Sequence, residues 1–187
     1  AIDGRRLDPK GGPHAAIARG IGYVAAERKA EGVVVGRTIV DNLVLTSGSA
    51  LGRHGIVDRR KEVGRALGWI DTLRIKTPSA AEYVERLSGG NQQKVSLAKW
   101  LMAERLQLLI LDHPTRGLDP GAKADLFDAM RTLAADGLSV IFVPDTLEET
   151  LGMADTVIVM RDGTISARFE GLIVRKPSPE AIVEAMV

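Results

Sequence analysis

Leu87-Ser88-Gly89-Gly90-Asn91-Gln92-Gln93-Lys94, followed one helix later by Leu108-Leu109-Ile110-Leu111-Asp112-His113-Pro114-Thr115, is the stretch on which the fold of this chain turns. Its first half places a hydroxyl, two glycines and an amide at the opening of a helix. Free N–H groups at a helix N-terminus make an anion site. Its second half is a buried strand ending in a carboxylate, and open parallel sheets hold ligands beyond the carboxyl ends of their strands. Together the two halves point to phosphate and magnesium chemistry.

Working outward, the composition sets limits. The chain has 187 residues, 45% hydrophobic and 26% charged, enough for one domain with a core or a core plus a small subdomain. A net charge of +1 gives no field toward nucleic acid or an anionic membrane. The absence of cysteine excludes a disulfide framework and a thiolate metal site, and fits a reducing cytoplasm. No apolar run approaches the roughly 20 residues of a membrane span, and no signal-peptide pattern opens the chain. With 4% aromatics, base-stacking surfaces are not expected. The chain opens Ala1-Ile2-Asp3-Gly4-Arg5 without Met, so it is expected to be a piece of something longer.

Upstream of the key stretch, Pro13 can open a brief helix that Gly20 stops after Arg19. Ile21-Gly22-Tyr23-Val24 reads as a strand and Glu27-Arg28-Lys29 as a charged loop. From Thr38 to Glu104 the pattern turns helical. Thr38 is an N-cap with Asp41 three residues on, residues 48–55 read as a loop, and Asp58 caps a helix that Pro78 ends. In that helix Val63, Ala66, Leu67, Ile70 and Leu73 recur at helical spacing. Ser88 starts the next helix, with Val95, Ala98, Leu101 and Met102 on one side. No strand-like alternation interrupts this region.

Downstream, Leu108–Leu111 has the all-apolar character of a strand buried on both faces. Residues 122–136 form a helix with Leu126, Ala129, Met130 and Leu133 inward and Gly137 at its end. Residues 140–143 form a second buried strand, parallel to the first through a right-handed crossover. Residues 157–169 read as a hairpin turning at Asp162-Gly163. Ser178-Pro179 opens a last helix. The expected architecture is an α/β layer with a mostly parallel sheet and a helical subdomain inserted before the Asp112 strand.

Leu87 to Val95 resembles the signature motif of ATP-binding cassette (ABC) transporter ATPases. The Asn-Gln-Gln-Lys ending is similar to the second cassette of bacterial sugar importers of the ribose, galactose and xylose type. Asp112-His113-Pro114-Thr115-Arg116-Gly117-Leu118-Asp119 resembles that family's Walker B and D-loop; residues 27–32 and 152–155 also match. The resemblance covers essentially the whole chain and implies a partial P-loop NTPase core. Residues 1–37 would be an N-terminal remnant of that core with the Q-loop region. Residues 38–104 would be the α-helical subdomain, and 105–187 the core with Walker B, D-loop and switch loop.

The resemblance implies roles as well. Two cassettes of the family sandwich two ATP molecules head to tail, so Ser88, Gly89, Gly90 and Asn91 would touch the γ-phosphate held by the other cassette, with Gln92 at the edge of that site. The glycines suit close approach of backbone N–H groups, and Ser88 adds a hydroxyl. Asp112 would orient Mg²⁺ in the chain's own site; its plainer reading is a cap or ion-pair residue. Asp119 would couple the sites as the D-loop residue, a role compatible with capping the following helix.

Against that pattern, no Gly-x-x-x-x-Gly-Lys-Ser/Thr occurs anywhere in the sequence. In the family this phosphate loop lies upstream of the Ile21 strand, so the chain is expected to begin after it and to lack a first strand. An exposed sheet edge invites pairing, as in a homodimer or a swapped strand. His113 stands where active cassettes carry a catalytic Glu, Asp145 where they carry the switch histidine, and Ala26 at the Q-loop position. These departures all fall on the chain's own nucleotide site, whereas the signature is complete.

The implied protein is the ATP-binding part of a sugar importer at the cytoplasmic face of the inner membrane. Its cofactors are ATP and Mg²⁺, and its partners a second cassette and integral-membrane permease subunits. The alternative is a non-hydrolytic module that completes or regulates a partner ATPase. A DNA-repair or translation-factor cassette fits less well, given the Asn-Gln-Gln-Lys form and the small net charge.

Overall fold

The computed structural model describes residues 10–46, 52–53, 56–103, 105–172, 174 and 176–187. The chain divides into two compact units, residues 1–143 and 144–187.

The first unit is built on a three-stranded parallel sheet. Strands β1 (Ile21–Val24), β2 (Gly52–Arg53), β3 (Ile56–Val57), β4 (Leu108–Asp112) and β5 (Ser139–Val143) follow one another in the chain, and the sheet order is β1-β4-β5. Tyr23, Ile110 and Ile141 lie abreast, as do Val24, Leu111 and Phe142. Side chains alternate across a sheet, and here the two faces differ. Val24, Leu109 and Leu111 are at most 1% exposed, whereas Tyr23, Ile141 and Val143 are 44–54% exposed on the other face. The expectation of fully buried strands is therefore corrected: β4 has one buried and one half-buried face, and β5 has one half-buried face and one that is open.

Helices cover the buried face. Helix α1 (Gly12–Ala18) leads into β1 with Pro13 in its first turn, as expected. Next come α2 (Ile39–Leu43), α3 (Arg59–Thr72), α4 (Gly89–Leu101) and α5 (Pro120–Ala135). Each of the last four begins at a side-chain cap, Thr38, Asp58, Ser88 and Asp119, whose oxygen accepts a first-turn N–H. Helix α4 packs on α2, α3 and β1, and its Val95, Leu97, Ala98 and the following Met102 are 0–1% exposed. Asn42 is fully buried on α2; its amide accepts from the Val34 N–H at 2.6 Å and donates to the Val34 and Thr38 carbonyls.

Two details of the helical region differ from the sequence reading. Helix α3 ends at Thr72, where Arg74 turns the chain with φ +50, well before Pro78. Within the segment read as a loop, β2 and β3 pair antiparallel; residues 48–51, 54 and 55 lie outside the described residues. A π-helical turn at Arg28–Gly32 replaces the expected charged loop.

The second unit contains α6 (Leu147–Met153), which the sequence reading missed, β6 (Thr156–Arg161), β7 (Thr164–Glu170) and α7 (Pro179–Met186). Strands β6 and β7 form the expected hairpin, with Asp162 at φ +50 and Gly163 at φ +76 matching the right-handed strand twist. Val157, Val159, Leu172 and Ile182 make its small core, packed by Leu147, Leu151, Phe169 and Ala185. Ser178 caps α7 through the Ala181 N–H, as expected.

Candidate functional site

The signature stretch folds as a capped helix opening. Ser88 Oγ accepts from the backbone N–H of Asn91 at 3.4 Å and from its side-chain amide at 2.9 Å, which leaves the Ser88 O–H as a donor. Asn91 Oδ1 in turn accepts from the Lys76 N–H at 2.9 Å. Ser88 is exposed, and the first turn of α4 carries no acidic side chain to offset the positive end of the helix dipole.

Neighbours approach both glycines closely, a flexible guanidinium at one and a helix methyl group at the other. A Cβ at Gly89 would lie 2.7 Å from Nη2 of Arg28, and one at Gly90 would lie 2.7 Å from the Cβ of Ala122. Gln92, expected at the edge of the site, is 5% exposed and points inward. Its amide donates to the carbonyls of Val84 at 3.3 Å and Leu87 at 3.1 Å, bracing the turn from beneath.

The second cluster gathers at the carboxyl end of the sheet. Asp112 closes β4, and its Oδ2 accepts a 2.8 Å hydrogen bond from the hydroxyl of Tyr23 on β1. That bond, with some burial behind it, holds the Tyr23 phenol above its ordinary pKa. His113 follows with φ +44, its backbone N–H donating to the Val143 carbonyl at 3.0 Å and its Nε2 3.8 Å from Asp112 Oδ1. The loop then closes on itself, and Asp119 caps α5 through the Ala122 N–H at 2.9 Å. Ala26, just beyond β1, has a methyl group only. Asp145 belongs to the second unit, where its N–H donates to Glu149 Oε2 at 3.2 Å.

Among the described residues, no three His, Cys, Asp or Glu side chains converge as a metal site. One oxygen of Asp112 is already engaged by Tyr23, and the sequence has no phosphate loop. These residues do not by themselves hold Mg²⁺ with ATP, so no hydrolytic step is assigned to them. The exposed Ser88 cap of α4 does fit an anion presented from outside: its hydroxyl is available as a donor, the positive end of the helix dipole is not offset by a first-turn carboxylate, and the Arg28 guanidinium stands beside Gly89.

Three residues whose contacts the sequence reading did not anticipate tie these parts to their neighbours. Tyr23 was visible only as an alternating position of β1. Arg28 sat in a run read as a solvated loop, yet its Nη1 donates to the Arg116 carbonyl at 3.0 Å while Nη2 covers Gly89. Lys94 is the third: buried in α4, its ammonium meets Asp125 Oδ2 at 2.8 Å and the Arg74 carbonyl at 3.3 Å.

Comparison with known proteins places this geometry in context. A family model described as ABC transporter matches residues 1–116. Ribose import ATP-binding protein RbsA 2 of Streptomyces avermitilis is 42% identical over 186 residues, covering 100% of this chain and 35% of that protein. Arabinose import ATP-binding protein AraG of Rhizobium meliloti is 38% identical over 169 residues, 90% of this chain and 33% of that protein. The chain thus spans about a third of the length of these relatives. A nucleotide-free ATP-binding cassette from an ABC transporter superposes with a TM-score of 0.73 at 21% identity, over 92% of this chain and 70% of that one. A dimeric post-hydrolysis cassette bound to ADP and Pi superposes with a TM-score of 0.70 at 22% identity, over 88% and 68%. The architecture read from the sequence, an α/β core with a parallel sheet and added helices, is the fold of these cassettes.

Proposed function

Because the chain belongs to the ABC transporter family of ATP-binding cassettes, we propose that it is part of the ATP-binding protein of a carbohydrate importer, acting on a nucleotide held by a partner cassette. The observation that carries this reading is the opening of α4. Ser88 is exposed with its O–H available as a donor, the first-turn N–H groups meet no acidic side chain, and a guanidinium, Arg28, stands beside Gly89. A γ-phosphate delivered by another cassette would satisfy these donors at once. Gln92 keeps the turn in shape from inside.

In the chain's own site, Asp112 is the carboxylate that could serve a metal, and only if the phosphate groups came with elements beyond these residues. His113 lacks the charge of a catalytic glutamate, Asp145 would repel a γ-phosphate from the switch position, and Ala26 can ligate nothing. In an intact transporter such a site would bind nucleotide but turn it over poorly. Asp119, while capping α5, would lie between the two sites. Residues 1–37 and 105–187 would form the ATPase core, and 38–104 the helical subdomain facing the permease. The cytoplasmic face of the inner membrane is the corresponding location; no helix among the described residues is long and apolar enough to cross a membrane. A purely regulatory role, completing a partner ATPase without hydrolysis, draws support from His113, Asp145 and Ala26.

Titration of this chain with ATP and Mg²⁺ tests the division of labour. No binding is expected at micromolar nucleotide. Micromolar affinity would require a phosphate cradle within the chain, such as residues 32–36, and would overturn the reading.

A further inference from the structure

Arg28 opens the π-helical turn after β1, and that turn is fastened to α4 at its far end by Lys99, whose Nζ donates to the Gly32 carbonyl at 2.6 Å. Burial lowers the Lys99 pKa, so this ammonium is held in place at some electrostatic cost. From the near end the Arg28 guanidinium reaches two segments distant in sequence. Nη1 donates to the Arg116 carbonyl at 3.0 Å. Nη2 lies 2.7 Å from where a Gly89 Cβ would be, and 4.0 Å from the corresponding point of Gly117. Nε is buried with no hydrogen-bond partner among the described residues.

This is not an arrangement that α4 needs for its own stability. A cation beside a helix N-terminus opposes the helix dipole, and no first-turn carboxylate of α4 relieves it. The neighbouring Glu27–Arg116 pair, 3.8 Å apart and largely exposed, contributes little. What the guanidinium does supply is a rigid planar fork whose two terminal nitrogens keep a fixed separation. One arm is pinned to the loop that follows Asp112, and the other sets how close Gly89 can come.

We propose that Arg28 is a positioning residue for the signature turn. It fixes Ser88 and Gly89 relative to the Arg116–Gly117 loop, so that the turn and the loop meet the nucleotide as one piece. The inference rests on the reading of Ser88–Asn91 as the contact to a partner's phosphate. Lysine at this position keeps the charge and the aliphatic stem, and loses the fork.

The test uses the full-length ATP-binding protein assembled with its membrane subunits, measuring kcat and KM for ATP together with thermal melting. Arg28→Ala and Arg28→Lys are both expected to lower kcat about tenfold or more, as small misplacements of a reacting constellation do. KM should stay within about twofold, because the nucleotide is gripped elsewhere. Gly89→Ala should cost much less in the Arg28→Ala background than alone, since its Cβ then has room. If Arg28→Ala destabilises the protein, Arg28→Lys decides the matter. Full rescue by lysine, or additive effects of the Gly89 and Arg28 changes, would reduce Arg28 to packing and overturn the proposal. Ser88→Arg in the same assay separates the two layers. Loss of activity there with a wild-type rate for Arg28→Lys removes only the Arg28 role; a wild-type rate for Ser88→Arg removes the signature reading and the Arg28 role with it.

Discussion

Tyr23 and Asp112, on adjacent parallel strands, are joined by a 2.8 Å hydrogen bond from phenol to carboxylate at the carboxyl end of the sheet. The strand-end carboxylate that defines the local site is thus already oriented by a protein group, and its other oxygen lies 3.8 Å from His113 Nε2.

The bond raises the Tyr23 pKa, and Asp112 is the leading cause. A raised pKa stabilises the fold below the ordinary tyrosine value and loses that contribution as pH climbs through the raised one. Asp112→Ala is expected to bring the Tyr23 titration, followed by ultraviolet absorbance or NMR, back toward its ordinary value. An unmoved titration would mean the bond does not form in solution.

Asp125 carries the opposite shift. Its hydrogen bond and charge attraction to Lys94 hold its pKa below the usual carboxylate value. Asp125→Ala leaves a Lys94 ammonium that is 6% exposed with only the Arg74 carbonyl. The expected loss is about 1–2 kcal/mol at neutral pH, less than for a fully buried pair because Asp125 itself is partly exposed. A depressed pKa stabilises above the unfolded value and is lost as pH falls through the folded one. The gap between variant and wild type should therefore close in acid, as followed by urea unfolding across a pH series.

Helices α4 and α5 approach closely at Gly90, where an added Cβ would lie 2.7 Å from the Ala122 Cβ. Gly90→Ala should lower stability by about 1–3 kcal/mol through overpacking at the α4–α5 contact. Ala122→Gly in the same molecule should recover most of it, apart from the helix-propensity cost of the new glycine. Thermal melts of the three variants give the comparison, and failure of the second change to compensate would place the strain elsewhere.

Restoring the base alone should not restore the local site. In the full-length protein with its membrane subunits, His113→Glu is expected to change the ATPase rate by less than about twofold, because Ala26 and Asp145 remain. A rise of the about 10²–10⁴-fold typical of general-base catalysis would show that His113 was its only defect.

Much of this could be read from residues close together in the chain. The caps at Thr38, Asp58, Ser88 and Ser178 and the Asp162-Gly163 turn act over three or four residues, so sequence alone exposes them. What escaped depends on partners far along the chain. Nothing near Arg28 reveals that its guanidinium meets Gly89 and Arg116, and nothing near Tyr23 reveals Asp112. Helix α3 ends at Thr72 because Arg74 adopts a left-handed backbone, a choice that no glycine announces. The apolar runs of β4 and β5 looked doubly buried, but exposure depends on what lies over the sheet, and Ile141 and Val143 are open. The inward turn of Gln92 follows from the Val84 and Leu87 carbonyls beneath it, which helical periodicity cannot register.

The central claim is that the opening of α4 completes a nucleotide site in another cassette. Steady-state ATPase activity of the full-length protein with its membrane subunits, compared between wild type and Ser88→Arg, tests it most directly. Arginine at the cap removes the hydroxyl donor and fills the space before Gly89, so a fall of about 10²-fold or more is expected, the scale of losing a preorganised oxyanion donor. A Ser88→Arg protein that folds, assembles and hydrolyses ATP at the wild-type rate would contradict it.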